Sequence, residues 1–276
     1  MAGPIRVVRQ EAGMAQRTTA PFVERFGRVG FAAKGVVYML IGGIALKAAT
    51  GSGSATDSRG AMRTLVDEPL GQVLLAAIAA GLLCYALWRG YCALADPEDD
   101  SAWKRVRNAG IAAVHAGIAL EAARLALSGF AGSGGGSNQA RHWSARLLEQ
   151  PFGAWLLGAV GVGFGVYGLY QIYRGISSRL DKLLRLDGIA ADQRRIVRNV
   201  ARAGLAARGV VFALVGLFLV DAARDYDASQ ARDLGGAMRE LNQQPYGPWL
   251  LGIVAVGLFA YGIYELVRAR YRIIRG

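Results

Sequence analysis

Residues 245–261 read Pro-Tyr-Gly-Pro-Trp-Leu-Leu-Gly-Ile-Val-Ala-Val-Gly-Leu-Phe-Ala-Tyr, and this stretch is one of three copies that share a register. In each copy a proline is followed by glycine at plus two, glycine at plus twelve and tyrosine at plus sixteen. The three sets are Pro69, Gly71, Gly81, Tyr85; Pro151, Gly153, Gly163, Tyr167; and Pro245, Gly247, Gly257, Tyr261. A fixed internal period of this kind indicates one structural unit repeated three times.

A second segment precedes each copy and carries the same repeat. It reads Gly30-Phe-Ala-Ala-Lys34-Gly-Val-Val-Tyr38 in the first unit and Gly204-Leu-Ala-Ala-Arg208-Gly-Val-Val-Phe212 in the third. The middle unit has a looser version, Gly110-Ile-Ala-Ala-Val114-His-Ala-Gly-Ile118. The second repeat is therefore the divergent one.

Composition indicates that these units lie in a membrane. Apolar residues make up 53% of the chain, and the charged residues are grouped between long apolar runs. A helix needs about 20 mostly apolar residues to cross a bilayer, and six stretches qualify: 27–49, 70–95, 109–128, 152–175, 203–222 and 247–267. We therefore predict an all-α membrane protein with six transmembrane helices, arranged as three tandem two-helix repeats in a pseudo-three-fold bundle.

The loops between the apolar runs divide the chain. We predict an N-terminal tail over 1–25, repeat 1 over 26–100, repeat 2 over 101–180, a basic linker over 181–202, and repeat 3 with a basic tail over 203–276. A short amphipathic segment precedes each proline, at 61–66, 143–148 and 237–241. We expect these segments to form short interfacial helices, and the segment 176–189 fits a similar surface helix.

Lysine and arginine are distributed unevenly across the predicted membrane. The two tails, together with the second and fourth loops and their flanks, carry 21 of them, whereas the opposite side carries nine. Short loops rich in these residues stay in the cytoplasm, so both termini are predicted to be cytoplasmic. Anionic lipid head groups at that face, each basic contact contributing about 1 kcal/mol, account for the net charge of +12. No basic domain lies outside the spans, so no nucleic-acid partner is expected.

A family resemblance follows from the repeated motifs. Tandem two-helix units that begin with Gly30-Phe-Ala-Ala-Lys-Gly, and continue through Pro-x-Gly and Gly-x-x-x-Tyr, resemble the bacterial membrane proteins grouped as domain of unknown function 1206. The resemblance extends from about Phe26 to Arg268. It implies a six-span protein of the bacterial inner (cytoplasmic) membrane, and it implies no activity and no catalytic residues.

One helical face is repeated around the tyrosines. Toward the predicted cytoplasmic end it runs from glycine through tyrosine to a polar side chain: Gly81, Tyr85, Arg89; Gly163, Tyr167, Gln171; and Gly257, Tyr261, Glu265. Two interpretations are open. The face either packs against a neighbouring helix, with the three glycines allowing close approach, or it lines a polar pocket that opens toward the cytoplasmic leaflet.

Three charged residues lie inside predicted spans. Lys34 and Arg208 are repeat equivalents, and Glu121 follows their equivalent Val114 by seven residues, which puts it on the same face about 10 Å deeper. Ionisable groups within a membrane usually face protein or a wet cavity, because burial in lipid is costly. We therefore predict that the acid and the two bases converge in a shared interior. The alternatives are snorkelling of the two cations and a local pair between Glu121 and Arg124.

Metal and cofactor chemistry find little support in the sequence. His115 is a candidate for the interior polar site, although a packed ring is the simpler interpretation. The other histidine, His142, lies on the opposite side of the membrane, so no metal site forms from Cys and His. Cys84 and Cys92 are about 12 Å apart on one helix, which is too far for a disulfide. With no cofactor and no nucleophile beside a base, we expect a non-enzymatic protein.

Two functions fit these patterns. The leading one is a multi-pass protein that binds lipid or a partner membrane subunit, which includes a second copy of itself. The alternative is a carrier or channel for an ion or small solute, whose interior contains Lys34, Arg208, Glu121, Glu265 and the three repeated tyrosines. A continuous polar cavity would favour transport, whereas a filled axis would favour binding.

Overall fold

The computed structural model describes residues 21–66, 68, 70–95, 102–128, 139–177 and 190–271. In chain order the helices are α1 (Pro21–Ala49), α2 (Ser58–Arg63), α3 (Gly71–Ala95), α4 (Ala102–Ser128), α5 (Gln139–Leu148), α6 (Gly153–Ile176), α7 (Ala191–Arg224), α8 (Leu234–Gln243) and α9 (Gly247–Tyr271). A 3-10 turn at Ala228–Gln230 precedes α8. Within the described ranges the protein has no strand.

Six of these helices are long and apolar enough to cross a membrane: α1, α3, α4, α6, α7 and α9. The prediction of a six-span, all-α protein is therefore confirmed, and each predicted span maps onto one of these helices. Three helices begin earlier than predicted, α1 at Pro21, α4 at Ala102 and α7 at Ala191, because arginine, lysine and glutamate are good helix formers and extend the helix past its apolar part. Part of the predicted linker is thus helical, while most of the predicted surface helix at 176–189 lies outside the described residues.

The long helices pack side by side in the order α4, α3, α1, α9, α7, α6. In this order, the second long helix of each repeat contacts the first long helix of the next: α3 with α4, α6 with α7, and α9 with α1. The same kind of contact is used three times, which is consistent with the pseudo-three-fold arrangement of the repeats. The ring is incomplete at one place, because α4 and α6, the two long helices of repeat 2, have no comparable interface.

Repeats 1 and 3 hold their two long helices together by the same close contact. One glycine of the first long helix lies against the backbone of the repeated tyrosine, and one glycine of the second lies against an alanine. The four pairs are Gly30–Tyr85 and Gly81–Ala33 in repeat 1, and Gly204–Tyr261 and Gly257–Ala207 in repeat 3. A side chain in place of these glycines would push the helices apart, as in other membrane bundles that pack through small residues.

Repeat 2 has the same residue types but lacks this contact. Nothing in the described part of the chain lies within 4 Å of the place where a Cβ on Gly110 or Gly163 would stand. Tyr167 is 37% exposed, whereas its two repeat equivalents are each 2% exposed. The packing role predicted for Gly163 is therefore corrected by the structure, because α4 and α6 stand apart.

The Pro-x-Gly motif forms the turn that starts the second long helix of each repeat. Its middle residue has a left-handed backbone in all three copies, with φ of 66° at Leu70, 62° at Phe152 and 60° at Tyr246. The glycine that follows lies against the carbonyl group of a residue five or six positions earlier, which leaves no room for a Cβ. This close approach explains why glycine is repeated at that position.

The short helices α2, α5 and α8 overlap the three predicted amphipathic segments. We call the end of the bundle that carries them the short-helix end, and the opposite end the tail end. Matching aspartates cap α2 and α8: the Gly60 N–H donates to Asp57 at 2.9 Å and the Gly236 N–H donates to Asp233 at 2.7 Å. Met62 and Met238 sit at equivalent positions of these helices and are fully buried, so both helices cover the apolar core.

Candidate binding site

A buried ion pair joins repeat 1 to repeat 3. The Lys34 Nζ on α1 donates hydrogen bonds to the hydroxyl of Tyr261 at 3.0 Å and to Oε1 of Glu265 at 3.1 Å. Arg268, three residues further along α9, donates from Nη1 to both carboxylate oxygens of Glu265, at 2.7 and 2.8 Å. Glu265 is completely buried and so serves two cations at once.

Arg208 of α7 is the second buried cation at the centre of the bundle. Its Nε donates to the hydroxyl of Tyr38 at 2.9 Å, and its Nη1 donates to the hydroxyl of Tyr167 at 3.3 Å. The guanidinium carbon also lies 4.6 Å from the ring centre of Phe212 and 5.0 Å from that of Tyr261. Phenol hydroxyls and aromatic faces therefore form the surroundings of this charge, and cation–π attraction contributes to its stability.

Lys34 and Arg208 make equivalent contacts with the repeated tyrosines. Each lies over the ring of the tyrosine in its own repeat, Tyr85 for Lys34 and Tyr261 for Arg208. Each also donates to the tyrosine hydroxyl of a neighbouring repeat, Lys34 to Tyr261 and Arg208 to Tyr167. The third equivalent position is Val114 of repeat 2, which is 60% exposed. Two of the three equivalent positions therefore hold a cation, and the position without one falls where the ring is open.

We call the residues around Lys34 and Arg208 the polar cluster. Arg89 and Tyr85 of repeat 1, together with Asn108 and His115 of repeat 2, add further contacts to it. Both Nε and Nη2 of Arg89 donate to the Tyr85 hydroxyl, at 3.2 and 3.1 Å, and Nη1 donates to Asn108 of α4 at 3.1 Å. The ring of His115 lies 4.7 Å from the ring of Tyr85, and its Nδ1 is 2.8 Å from the carbonyl oxygen of Ile111. His115 is thus packed within the interface between α3 and α4.

Positive charge outweighs negative charge in this polar cluster. Among the described residues it contains one carboxylate, Glu265, and four cations: Lys34, Arg89, Arg208 and Arg268. Arg208 differs from Lys34 and Arg268, because no carboxylate among the described residues lies within ion-pair distance of its guanidinium, although it is only 8% exposed. Burial of a charge without a counter-charge is costly, so the surroundings of Arg208 are suited to an added anion.

An apolar cleft occupies the gap of repeat 2. It has a volume of about 630 Å³, and its walls come from α4, α5, α6 and α7. The apolar lining is Val114, Ala140, Trp143, Leu147, Leu157, Val160, Phe164, Phe212, Val215, Leu219 and Leu234. Charged side chains lie at the short-helix end of the cleft, among them Asp57, Arg232 and Asp233. Phe212, whose ring lies against Arg208, connects the cleft to the polar cluster.

The structure brings together most of the residues that the sequence singled out, but it separates Glu121 from them. Tyr85, Tyr167, Tyr261 and Glu265 all lie around Lys34 and Arg208, with Arg89 and His115 beside Tyr85. Glu121 instead lies 3.8 Å from Arg63 of the short helix α2, and both side chains are a quarter exposed. Gln171 is buried within α6. The acid that meets Lys34 is thus Glu265.

The sequence patterns did not predict four residues as members of the polar cluster: Tyr38, Asn108, Phe212 and Arg268. Tyr38 and Phe212 occupy the same position of the repeated Gly-x-Ala-Ala segment, so an aromatic side chain at this position was a usable signal. Arg268 follows Glu265 by three residues, which places the two side chains on one helical face. Asn108 has no equivalent signal, because its role depends on how α4 packs against α3.

The fold and the site define a class: a multi-pass helical membrane protein made of three tandem repeats around a buried, positively charged cluster. The family described as Domain of Unknown Function (DUF1206) matches residues 29–96, 108–178 and 203–272, and the chain belongs to this family. A Bacillus subtilis (strain 168) protein, named "Uncharacterized protein YxxB", is 37% identical over 262 residues, which cover 93% of this chain and 94% of that protein. No solved structure matches the chain.

Proposed function

We propose that this protein is a non-enzymatic membrane protein that takes up a lipid from the surrounding bilayer, and that the lipid chain occupies the cleft of repeat 2. The observation that carries the proposal is the unpacked pair α4 and α6, which leaves an apolar cavity at the one open place of the ring. In a bilayer, lipid chains are the apolar molecules available to fill such a gap.

The lining of the cleft fits a lipid chain. Its walls are branched aliphatic and aromatic side chains, and Val114 and Val160 on its two flanking helices are exposed rather than packed against each other. Aromatic side chains also lie exposed where the neighbouring helices begin, at Phe152, Trp155, Tyr246 and Trp249. Aromatic residues of this kind favour the membrane–water interface, which supports a position of the short-helix end at one membrane surface.

The axis of the bundle gives less support to the carrier alternative. Between the polar cluster and the short-helix end, the interior contains fully buried apolar side chains, including Ile41, Leu75, Leu251 and Leu258. A carrier for a small polar solute would need a polar path along this axis, whereas a lipid needs only the lateral opening. The filled axis therefore favours lipid binding.

Two further parts of the proposal concern the membrane and the partners. We place the protein in the bacterial inner (cytoplasmic) membrane with both termini in the cytoplasm, on the basis of the lysine and arginine asymmetry. The tail end then faces the cytoplasm and contacts anionic head groups. A membrane-protein partner or a second copy of the chain remains compatible with the exposed faces of α4 and α6.

A pair of matched substitutions tests the proposed site. Val160→Trp places a large ring in the cleft, whereas Val162→Trp places the same ring on an exposed position of α6 that does not line the cleft. We expect native mass spectrometry of protein extracted with its lipids to show bound lipid on the wild type and on Val162→Trp, and loss of it on Val160→Trp. Equal lipid retention by both folded variants would show that the cleft is not the site.

A further inference from the structure

Resting on the proposed function, we propose that the lipid is a single-chain acid whose carboxylate pairs with Arg208 while its chain lies in the cleft. Arg208 selects this ligand through its charge, its burial and its position next to a ring that lines the cleft.

Arg208 has hydrogen-bonding capacity left for an anion. A guanidinium group carries five N–H donors, and the hydrogen bonds of Arg208 in the described part of the protein are the two to the phenol oxygens of Tyr38 and Tyr167. Phenols are neutral partners, so they leave the positive charge uncompensated. A carboxylate would form charge-assisted hydrogen bonds, which are stronger than those to a neutral oxygen.

Two of the three neighbouring cations, Lys34 and Arg268, do not share this property. The third, Arg89, also donates to neutral oxygens, but it is only partly buried and its contacts are to Tyr85 and Asn108, at the interface of α3 and α4. Lys34 lies 3.1 Å from the Glu265 carboxylate, and Arg268 lies 2.7 Å from it. The one acid of the cluster is therefore committed to two cations on the side of α1 and α9. Arg208 is the buried cation without a local acid among the described residues, and the ring of Phe212 beside it lines the cleft.

Access to Arg208 runs through repeat 2. Tyr167, which accepts a hydrogen bond from Arg208, is partly exposed because α4 does not cover it. Phe212 lines the cleft and contacts the guanidinium on its other side. The third position of the pseudo-three-fold pattern holds Val114, which also lines the cleft, so repeat 2 contributes no cation at this position.

Depth favours a single-chain acid over a phospholipid. Tyr261, whose ring lies 5.0 Å from the Arg208 guanidinium, is six residues before the end of the apolar span 247–267, or about 9 Å at helical rise. Since the apolar core of a bilayer is about 30 Å thick, this depth lies below the level of phospholipid head groups. A carboxylate at the end of one chain can reach it, and the chain can then extend along the cleft toward α5.

The test compares three lipids with the same type of chain and different polar groups. Oleate and oleyl alcohol each have one chain, which ends in a carboxylate or in a neutral hydroxyl, and dioleoyl phosphatidylglycerol has two chains and carries its negative charge on a phosphodiester head group. With purified full-length protein, we expect oleate to bind at least about tenfold more tightly than oleyl alcohol, since hydrogen bonds to charged groups are the stronger ones. In Arg208→Gln this preference should disappear while the affinity for oleyl alcohol remains.

A second pair of variants leaves Arg208 in place and tests the same preference for oleate if Arg208→Gln does not fold. Val114→Glu adds a carboxylate to the cleft at the position equivalent to the two cations, and Val114→Gln adds a side chain of the same shape without charge. We expect Val114→Glu to lose the preference for oleate by competition and repulsion, and Val114→Gln to retain it.

The possible results separate the two proposals. Equal affinities for oleate and oleyl alcohol in the wild type, or a preference that survives in Arg208→Gln or in Val114→Glu, would overturn the role of Arg208 and leave lipid binding intact. Tighter, Arg208-dependent binding of phosphatidylglycerol than of oleate would overturn the choice of a single-chain acid. Binding of none of the three lipids would contradict the proposed function itself.

Discussion

At the scale of single residues, Glu265 is the main neutralising group of the polar cluster. Two cations from different parts of the bundle share its carboxylate, Lys34 at 3.1 Å and Arg268 at 2.7 Å. Such a buried arrangement adds little net stability when complete, but removal of one partner leaves uncompensated charge. The cost of losing Glu265 should therefore exceed that of losing an ordinary surface acid.

The substitution Glu265→Gln tests this expectation against Glu121→Gln, which makes the same chemical change at a partly exposed pair. We expect Glu265→Gln to lower the free energy of unfolding by about 3–5 kcal/mol, because two buried cations lose their acid. Glu121→Gln should cost about 1 kcal/mol or less, as solvent-exposed pairs do. Thermal unfolding of both variants in one detergent gives the comparison, and equal losses would contradict the assigned roles.

The sequence could predict the residue types at the centre of the site but not every partner. Tyr85, Tyr167 and Tyr261 are recognisable because the repeat places them in register, and they do meet around the cations. The partner of Lys34 was harder to identify, since Glu121 and Glu265 are both acids on helical faces that include repeated positions. Only the packing of α9 against α1, which the sequence does not specify, distinguishes them.

At the scale of helices, glycines allow close contact between the two long helices of repeats 1 and 3. The same glycine–tyrosine and glycine–alanine contacts hold α1 to α3 and α7 to α9. Repeat 2 retains both glycines, yet α4 and α6 do not meet. Substitution of the equivalent glycine in each repeat can therefore test whether the contact stabilises the protein.

Replacement of Gly81, Gly163 and Gly257 by leucine should give unequal results. Gly81→Leu and Gly257→Leu insert a side chain against Ala33 and Ala207, and we expect each to lower stability by about 1–3 kcal/mol through overpacking. Gly163→Leu enters open space and should change stability by less than about 0.5 kcal/mol. Thermal unfolding again measures the effect, and a loss at Gly163 as large as the other two would mean that α4 and α6 pack together.

Helix positions were predictable from the sequence because hydrophobic length and the repeated Pro-x-Gly turn both mark them. The opening of repeat 2 was not predictable in the same way. The residues that close repeats 1 and 3 are present there too, as Gly110, Ala113, Gly163 and Tyr167. The residues that differ come directly after Ala113 in the first long helix. Val114 stands where the other repeats have a cation, and His115 stands where they have a glycine.

At the scale of the whole molecule, the uneven distribution of lysine and arginine predicts the orientation. Single cysteines placed in residues 1–20 or after Arg272, in a background with Cys84 and Cys92 replaced by alanine, should be protected from an impermeant thiol reagent in intact cells. A cysteine at Ser133, in the loop between the long helices of repeat 2, should be labelled. The reverse labelling pattern would invert the proposed topology.

The opening of the ring also has a mechanical consequence. Five interfaces join the six described long helices, and they divide the molecule into two arms, α4–α3–α1 and α9–α7–α6, which meet along α1 and α9. That seam is fastened by Lys34 and Glu265 and by Arg28, which donates to the carbonyl oxygens of Ala269 and Arg270. Among the described long helices, α4 and α6 are thus the two that pack against a neighbour on one side only. We therefore expect the largest motion of the bundle to be a change in the separation of α4 and α6, at the mouth of the cleft.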